Sequence, residues 1–500
     1  MARPSRYLSS RDRAAYTPVH AVWEITLACD LKCDHCGSRA GKRRPDELTT
    51  EEALDLVRQL ARMGTREVTL IGGEAYLRRD WLEIIREVRA HGMDCTMQSG
   101  GLNLTDKRIK AAADAGLQGL GISIDGLRDV HDRLRGVTGS FDAAFKALHS
   151  IRKHGLTSSV NTQITSLVIP QLRELMNLFI EAGAKNWQVQ LTVAMGRAAD
   201  NPELLLQPYE LLELMPLLAE LFEEGADRGL LLQPGNNIGY FGPYESVWRG
   251  NGDDRVYWSS CNAGQNTLGI EADGTIKGCP SLATTTYAGG NIRDLSLADI
   301  WWTTDELNIN RGRTSEELWG FCGSCYYADS CKAGCTWTTS VLFGRAGNNP
   351  YCHHRALELS KQGLRERIAQ VERAPGTSFD HGRFELILET LDAQQGWPQR
   401  ATPTIGSTRQ HVSVVDKLPL RNNLVQISSP RKKTRRTVAR KELVLCRGCN
   451  RHVMPGTKIC PFCQGNIRAL ANRHAKNLRE AKKAYQRLVE LLPRHIETYR

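Results

Sequence analysis

Between Ala21 and Thr192 the chain alternates short β-rich runs with longer stretches whose apolar residues recur at helical spacing. The runs AVWEITLA, EVTLIGG, MDCTMQS, LQGLGISI, TSSVNTQI and WQVQLTV predict six strands. Intervening segments such as TTEEALDLVRQLARMG and TDKRIKAAADAG carry Thr near their starts and Gly at their ends, the punctuation of capped helices. Strands that alternate with helices form a parallel sheet, so the fold class is α/β, a partial or complete (β/α)6 TIM-like barrel over residues 20–230 behind an N-terminal extension, 1–19. In such barrels chemistry collects on the loops that follow the strands.

Beyond residue 230 the periodicity fades. Residues 231–360 are rich in Gly, Asn, Trp and Cys, the pattern of a second domain organised by metal ligation. A helix is predicted over Arg355–Arg373, within a 361–440 segment of helix and flexible basic linker; its part from Ala393 to Arg440 is polar, Pro-punctuated and ends in PRKKTRRTVAR. Residues 441–500 form a small four-cysteine module with a basic helix from about Ile467.

Composition changes this picture little: 41% hydrophobic and 24% charged residues describe an ordinary soluble protein. No apolar run approaches the roughly 20 residues of a spanning helix, and MARPSRYLSSRDRAAYTPVH lacks the apolar core of a signal peptide, so a cytoplasmic protein without membrane contact is expected. The net charge of +11 sits in the tail: residues 421–500 hold 20 Lys plus Arg against 4 Asp plus Glu, leaving 46 against 51 before them. The tail, not the barrel, suits polyanions.

Fifteen cysteines in a chain without a secretory signal stay reduced and available to metals. Fourteen fall in three clusters, with Cys95 alone in the third strand as a small buried residue. Cys29, Cys33 and Cys36 lie in CDLKCDHC directly after the first strand. Three thiolates on one loop hold three irons of a cubane and leave the fourth open; a zinc loop is the alternative.

CDLKCDHC after the first strand resembles the cluster loop of radical S-adenosylmethionine (SAM) enzymes. Gly72-Gly73-Glu74 after the second strand is similar to that family's GGE motif, which implies that Glu74 accepts the SAM amino group while the glycines allow close approach. ISIDG after the fourth strand resembles another family signature and implies that Ser123 faces the SAM ribose or carboxylate; Met195, Gly196, Arg197 and Ala198 resemble the turn that borders adenine. Two positions depart from the pattern: Ala75 stands where Pro is common, and Ser99-Gly100-Gly101 replaces an amide-bearing TNG. The resemblance implies a [4Fe-4S] cluster that binds SAM, an external electron donor such as flavodoxin or ferredoxin, and a 5′-deoxyadenosyl radical that abstracts hydrogen from substrate.

Cys261, Gly274 and Cys279, followed by Cys322-x2-Cys325-x5-Cys331-x3-Cys335 and then Cys352, resemble the seven-cysteine SPASM domain of radical SAM enzymes that modify peptides and proteins. That resemblance implies two auxiliary [4Fe-4S] clusters, one on Cys322, Cys325, Cys331 and Cys352, the other on Cys261, Cys279 and Cys335 with an open or exchangeable fourth position; paired zinc sites are the alternative. Sulfatase maturases place an Asp after the cysteine of the Gly-x4-Cys element, where this chain has Pro280. The reading is therefore a maturase of a ribosomally made precursor peptide, performing crosslinking, epimerisation or oxidation; the alternatives are a sulfatase-type protein maturase and a zinc-ribbon nucleic-acid-binding protein, which leaves eleven cysteines unexplained. Neither a catalytic acid nor a base is identified.

Cys446-x2-Cys449-x10-Cys460-x2-Cys463 has zinc-ribbon spacing, suited to a structural zinc, with a rubredoxin-like iron site as alternative. The basic segment Arg431–Lys441 and the helix RHAKNLREAKKAYQRLVELL offer contact with a polyanion or an acidic leader peptide. Trp301-Trp302 and Tyr326-Tyr327 are read as packing residues.

Overall fold

A computed structural model describes residues 4–250, 256–390 and 442–491. The six expected strands are β1 His20–Glu24, β2 Glu67–Ile71, β3 Asp94–Ser99, β4 Gly119–Ser123, β5 Thr157–Ile164 and β6 Asn186–Leu191. All six pair in parallel in sequence order, as in the register His20↔Glu67 and Trp23↔Leu70. β7, Leu231–Pro234, extends the sheet beyond β6. At the other edge β8, Thr267–Ile270, runs parallel to β1 and is followed by antiparallel β9, Thr275–Lys277, and β10, Ala288–Asn291. The result is one ten-stranded sheet, β10-β9-β8-β1-β2-β3-β4-β5-β6-β7, curled into a partial barrel whose first edge is built by the cysteine-rich region.

Strand alternation sorts the two faces of this sheet. Ala21 and Trp23 of β1 and Val68 and Leu70 of β2 are fully buried beneath the helices. His20, Glu24 and Thr69 face the lumen, where His20 Nε2 meets Thr69 Oγ1 at 2.9 Å. The helix Thr50–Arg62 starts in a capping box: Thr49 Oγ1 accepts the Glu52 N–H at 3.2 Å and Glu52 accepts the Thr49 N–H at 2.8 Å. Its apolar stripe, Ala53, Leu56, Val57 and Leu60, is buried against the sheet, with each leucine contributing about 1.5–3 kcal/mol.

The helix expected over Arg355–Arg373 ends early. It spans His353–Ser360, Gly363 takes φ +68, and LRERIAQVE forms β11, Leu364–Glu372, paired with β12, Arg383–Thr390. Arg365 and Arg367 both reach Glu389 across the hairpin at 2.9 Å, a cross-strand partnership that i,i+4 counting does not contain. β13, Val444–Cys446, and β14, Arg451–Val453, form the four-cysteine module, and the helix Ile467–Leu491 closes the described chain. The linker expected up to residue 440 and its basic segment lie outside the described residues, apart from the hairpin. No helix among the described residues is long and apolar enough to cross a membrane.

Candidate functional site

The three-cysteine loop leaves β1 at the C-terminal edge of the sheet and is closed at its base, where the Cys29 N–H donates to Gly41 O at 3.0 Å and the Gly41 N–H to Leu27 O at 2.9 Å. Donors point at all three sulfurs: the Leu31 N–H lies 3.4 Å from Cys29 Sγ, the Ala40 N–H 3.4 Å from Cys36 Sγ and Arg135 Nη1 3.6 Å from Cys33 Sγ. Such donors stabilise metal-bound thiolates, and this donor set fits an iron–sulfur cluster held by three cysteines. Burial pushes the Cys29 thiol up to about 12 and the Cys33 thiol up to about 11, so a metal binding there displaces protons.

Two side chains fix this loop from other strands. Arg197, in the turn after β6, donates from Nε to Cys33 O at 2.6 Å and from both terminal nitrogens to Ala40 O at 3.2 Å. Asp125, fully buried after β4, takes the Arg135 guanidinium, His35 Nε2 at 2.9 Å and the Gln163 N–H at 2.7 Å. His35 lies between two of the cysteines, so Asp125 ties the loop to the sheet. Arg135 and His35 hold the Asp125 carboxyl well below the usual carboxylate range.

An added Cβ would lie 2.4 Å from Thr26 O at Gly72 and 2.2 Å from Ala28 O at Gly73. The two glycines thus let the turn after β2 pack on the backbone that leads into the cysteine loop. Glu74 is buried and accepts Ser99 Oγ at 2.5 Å and the Gly100 N–H at 2.6 Å; burial pushes its carboxyl up to about 7. The residues that replace an amide-bearing turn after β3 therefore serve Glu74. Glu74 also lies within 4.8 Å of Cys29 and Asp30 ligand atoms. Ser123 ends β4 on the lumen face. Met195 is buried beside Gly37 and receives the Trp337 indole N–H at 3.1 Å, and Gly196 takes φ +58 against Cys36 O and Gly37 O.

The seven later cysteines separate into two groups. Cys322, Cys325, Cys331 and Cys352 line one cavity with Tyr240, Phe241, Tyr327 and His354. The Asn349 N–H points at Cys322 Sγ and the Tyr327 N–H at Cys325 Sγ, both at 3.4 Å. Cys261 and Cys279 share an apolar cluster with Ala263, Leu282 and Trp337, and Cys335 lies close enough that a thiolate at either one would disfavour its own ionisation. Both donor sets fit iron–sulfur ligation.

In the C-terminal module the Sγ atoms of Cys446 and Cys463, and of Cys449 and Cys460, are 3.7 Å apart. A tetrahedral site with Zn–S bonds of about 2.3 Å has edges near 3.8 Å, so the four sulfurs fit one metal ion. This module covers the four-cysteine cavity. Tyr327 donates to His452 O at 2.6 Å, the Met454 N–H donates to Tyr326 Oη at 2.7 Å, and Phe462 stacks on Tyr327 with ring centroids 5.8 Å apart. Arg451 lies 3.7 Å over the Phe462 ring and binds Glu358 at 2.7 Å.

Below the cysteine loop a cavity of about 650 Å³ opens at the N-terminal ends of the strands. Thr96, Gln98, Ser159, Asn161, Gln188 and Gln233 line it, and Asn161 Nδ2 donates to Gln98 Oε1 at 2.6 Å. Its one lining cation, Arg6, is bound to Glu67.

Residues 23–192 match the radical SAM superfamily, and residues 261–326 match the iron–sulfur cluster-binding SPASM domain. The chain carries a radical SAM domain followed by a SPASM domain. The mycofactocin maturase MftC of Mycobacterium tuberculosis is 28% identical over 77% of this chain and 94% of its own length. An AdoMet-dependent heme synthase of Oleidesulfovibrio alaskensis is also 28% identical, over 67% of this chain and 87% of its own. The SAM-bound crystal structure of Streptococcus suis SuiB shares the fold with a TM-score of 0.54 at 17% identity, covering 68% of this chain and 79% of that one. The structure of anSMEcpe with AdoMet and a peptide gives 0.54 at 18%, covering 68% and 94%.

Within the radical SAM domain, reading the sequence singled out Ser123 of ISIDG and missed its neighbour Asp125, whose side-chain partners Arg135 and His35 lie 10 and 90 positions away. Arg197 lies in the turn expected beside adenine, and its guanidinium holds the cluster loop, a role the sequence reading did not give it. The tyrosine pair of the SPASM domain is packing, as expected, but against the C-terminal module.

Proposed function

We propose that this chain is a maturase that modifies a ribosomally made peptide by radical chemistry. In this reading Cys29, Cys33 and Cys36 hold the SAM-binding cluster, with Gly72, Gly73, Glu74, Ser123 and Met195 around the SAM. Cys322, Cys325, Cys331 and Cys352 hold one auxiliary cluster, and Cys261, Cys279 and Cys335 hold the other with its fourth position open. Cys446, Cys449, Cys460 and Cys463 hold a structural zinc. When bound, the first cluster supplies the electron, drawn from a flavodoxin or ferredoxin, that cleaves SAM to a 5′-deoxyadenosyl radical. The chain's own residues orient and exclude: Arg197 and Asp125 fix the cysteine loop, and Glu74, prepared by Ser99 and Gly100, accepts a hydrogen bond from a bound amino group. The exposed Arg468, Arg473, Lys476, Arg479, Lys482 and Lys483 of the C-terminal helix are offered to an acidic leader peptide.

One observation carries the choice of substrate class. The cavity below the cysteine loop is lined mainly by side-chain amides and hydroxyls, which match the donors and acceptors of a peptide backbone, with Glu67 and Asp94 also lining it. The heme synthase relatives favour a second reading, a tetrapyrrole, whose carboxylates need cations; Arg6, Arg44 and Lys277, cations in and around the barrel, are each already paired with a carboxylate. The test is anaerobic incubation of the reconstituted enzyme with SAM, a reductant and one of three substrates: the product of a small open reading frame beside the gene, a sulfatase-derived peptide, or a tetrapyrrole carboxylate. A mass change in the first with stoichiometric 5′-deoxyadenosine supports the reading. A change confined to either of the others, or no 5′-deoxyadenosine with the iron intact, overturns it.

A further inference from the structure

The tip of the β11–β12 hairpin, residues 373–382, turns back over the barrel mouth. There Phe379 takes φ +58, a left-handed conformation that bulky residues avoid. Its ring is nonetheless buried, among Val193 and Met195 of the turn after β6 and Ala283 and Val341 of the SPASM region. Asp380 holds the turn: its carboxylate accepts the Gly376 and Thr377 N–H groups at 2.5 and 3.0 Å and Arg39 Nε at 2.7 Å, and its carbonyl accepts the Gly196 N–H at 2.8 Å. Backbone strain kept in place by surrounding contacts points to a functional position.

What the ring covers is a buried cation. Lys277 Nζ lies 3.9 Å from the Phe379 centroid, with the Arg44 guanidinium 5.8 Å away. Lys277 is fully buried and donates to Glu271 Oε1 at 2.6 Å and to Leu282 O at 2.7 Å, which leaves its third N–H toward the ring face. Glu24, from β1, stands beside the same group through Arg44, at 3.5 Å.

We propose that Lys277, Arg44 and the walls Val193, Met195, Ala283 and Val341 form a subsite for an aromatic side chain of the substrate, which Phe379 fills in the resting chain and vacates on binding. The inference rests on the peptide reading above. The chemistry selects the ring. An aliphatic group would leave a buried ammonium N–H without a partner, and a carboxylate would add an anion beside Glu271, which already pairs with Lys277; an aromatic face offers electron density without net charge. Access requires the hairpin tip to release Arg39 and Gly196 and the Phe379 ring to leave its apolar neighbours. A side chain bound there would lie between the turn after β6 and the Cys279 segment, flanked by both cysteine regions.

The experiment uses the reconstituted holoenzyme with Phe379→Ala and two probes of matched shape, N-acetyl-phenylalaninamide and N-acetyl-cyclohexylalaninamide, followed by calorimetry. The expected result is that F379A binds the aromatic probe at least about threefold more tightly than the alicyclic one, that the wild type binds the aromatic probe more weakly than F379A, and that adding Lys277→Met removes the preference while alicyclic binding persists. Equal affinity of F379A for the two probes, absence of binding to it, or a preference that survives K277M overturns the proposal. Phe379→Gly, which accepts a left-handed backbone without strain, is the second variant should F379A fail to fold. Because the probes are single amino-acid amides, the subsite stands or falls on these affinities, whereas the peptide reading stands or falls on mass change and 5′-deoxyadenosine.

Discussion

Asp125 ties the cysteine loop to the sheet through Arg135 and His35, and Asp125→Asn tests that directly. The substitution keeps the shape and removes the charge that both Arg135 and His35 address from within a fully buried pocket. Removing one partner of a buried pair leaves an uncompensated charge and costs about 3–5 kcal/mol. At about 1.4 kcal/mol per tenfold, that is on the order of a hundredfold or more in the folding equilibrium. Arg135 also donates to Cys33 Sγ at 3.6 Å, so the loss extends to the cysteine loop, and iron retention should fall with stability. The assay is denaturant unfolding of the reconstituted protein, read as the first transition of tryptophan fluorescence alongside loss of cluster absorbance. Because Asp125 is held below its ordinary value when folded, its contribution is present above about pH 4 and is lost as the pH falls through the folded value; the variant should lack this acid-side loss. Combining D125N with Arg135→Met should recover part of the deficit, since the stranded cation is gone. A loss below about 1 kcal/mol, the range of an exposed pair, would refute the reasoning.

Three further outcomes are expected. Burial pushes Glu24 up to about 8, so the folded chain retains a proton that the unfolded chain releases, and stability declines as pH rises between roughly 4.5 and 8, by at most about 1.4 kcal/mol per pH unit; Glu24→Gln should flatten melting temperature against pH over that interval, and an unchanged slope would count against it. Gly73→Ala forces a methyl to 2.2 Å from Ala28 O and should cost about 1–3 kcal/mol, measured by unfolding, with wild-type stability contradicting the close packing. If the C-terminal module holds the proposed zinc, Cys460→Ser should abolish its binding and accelerate amide exchange both in β13–β14 and around Tyr326 and Tyr327; exchange confined to the module would show that its cover over the four-cysteine cavity does not depend on the metal.

Six strands and the grouping of the cysteines were legible in the sequence because each is a local signal: a period of two, a capped helix, a fixed spacing between thiols. The extension of the sheet was not, since β8 pairs with β1 across some 245 intervening residues, and nothing near Thr267–Ile270 names that neighbour. The helix expected over Arg355–Arg373 failed for the same reason. Arg365, Arg367 and Glu366 suit a solvated helix face by type alone; only Glu389, Arg355 and the strand that carries Glu389 make them a hairpin. Asp125 and Arg197 are ordinary charged residues until the folds of β4 and β6 carry them to the cysteine loop.

Lys277 shows where this limit matters most for function. In the three-residue strand Thr275–Lys277 a lysine reads as an exposed strand position. It is fully buried because Glu271, just after β8, neutralises it, because Leu282 O accepts a second hydrogen bond, and because a hairpin roughly 100 residues downstream lays an aromatic ring on it. Those three partners come from separate segments, and the hairpin's sits at the end of a loop, held by Arg39, Gly196 and the small apolar cluster of Val193, Met195, Ala283 and Val341. A charge buried under a removable cover keeps its cost of desolvation in either state only if something of like chemistry replaces the cover. The same requirement that makes the site invisible to a reading of local pattern therefore restricts what a substrate must bring to it.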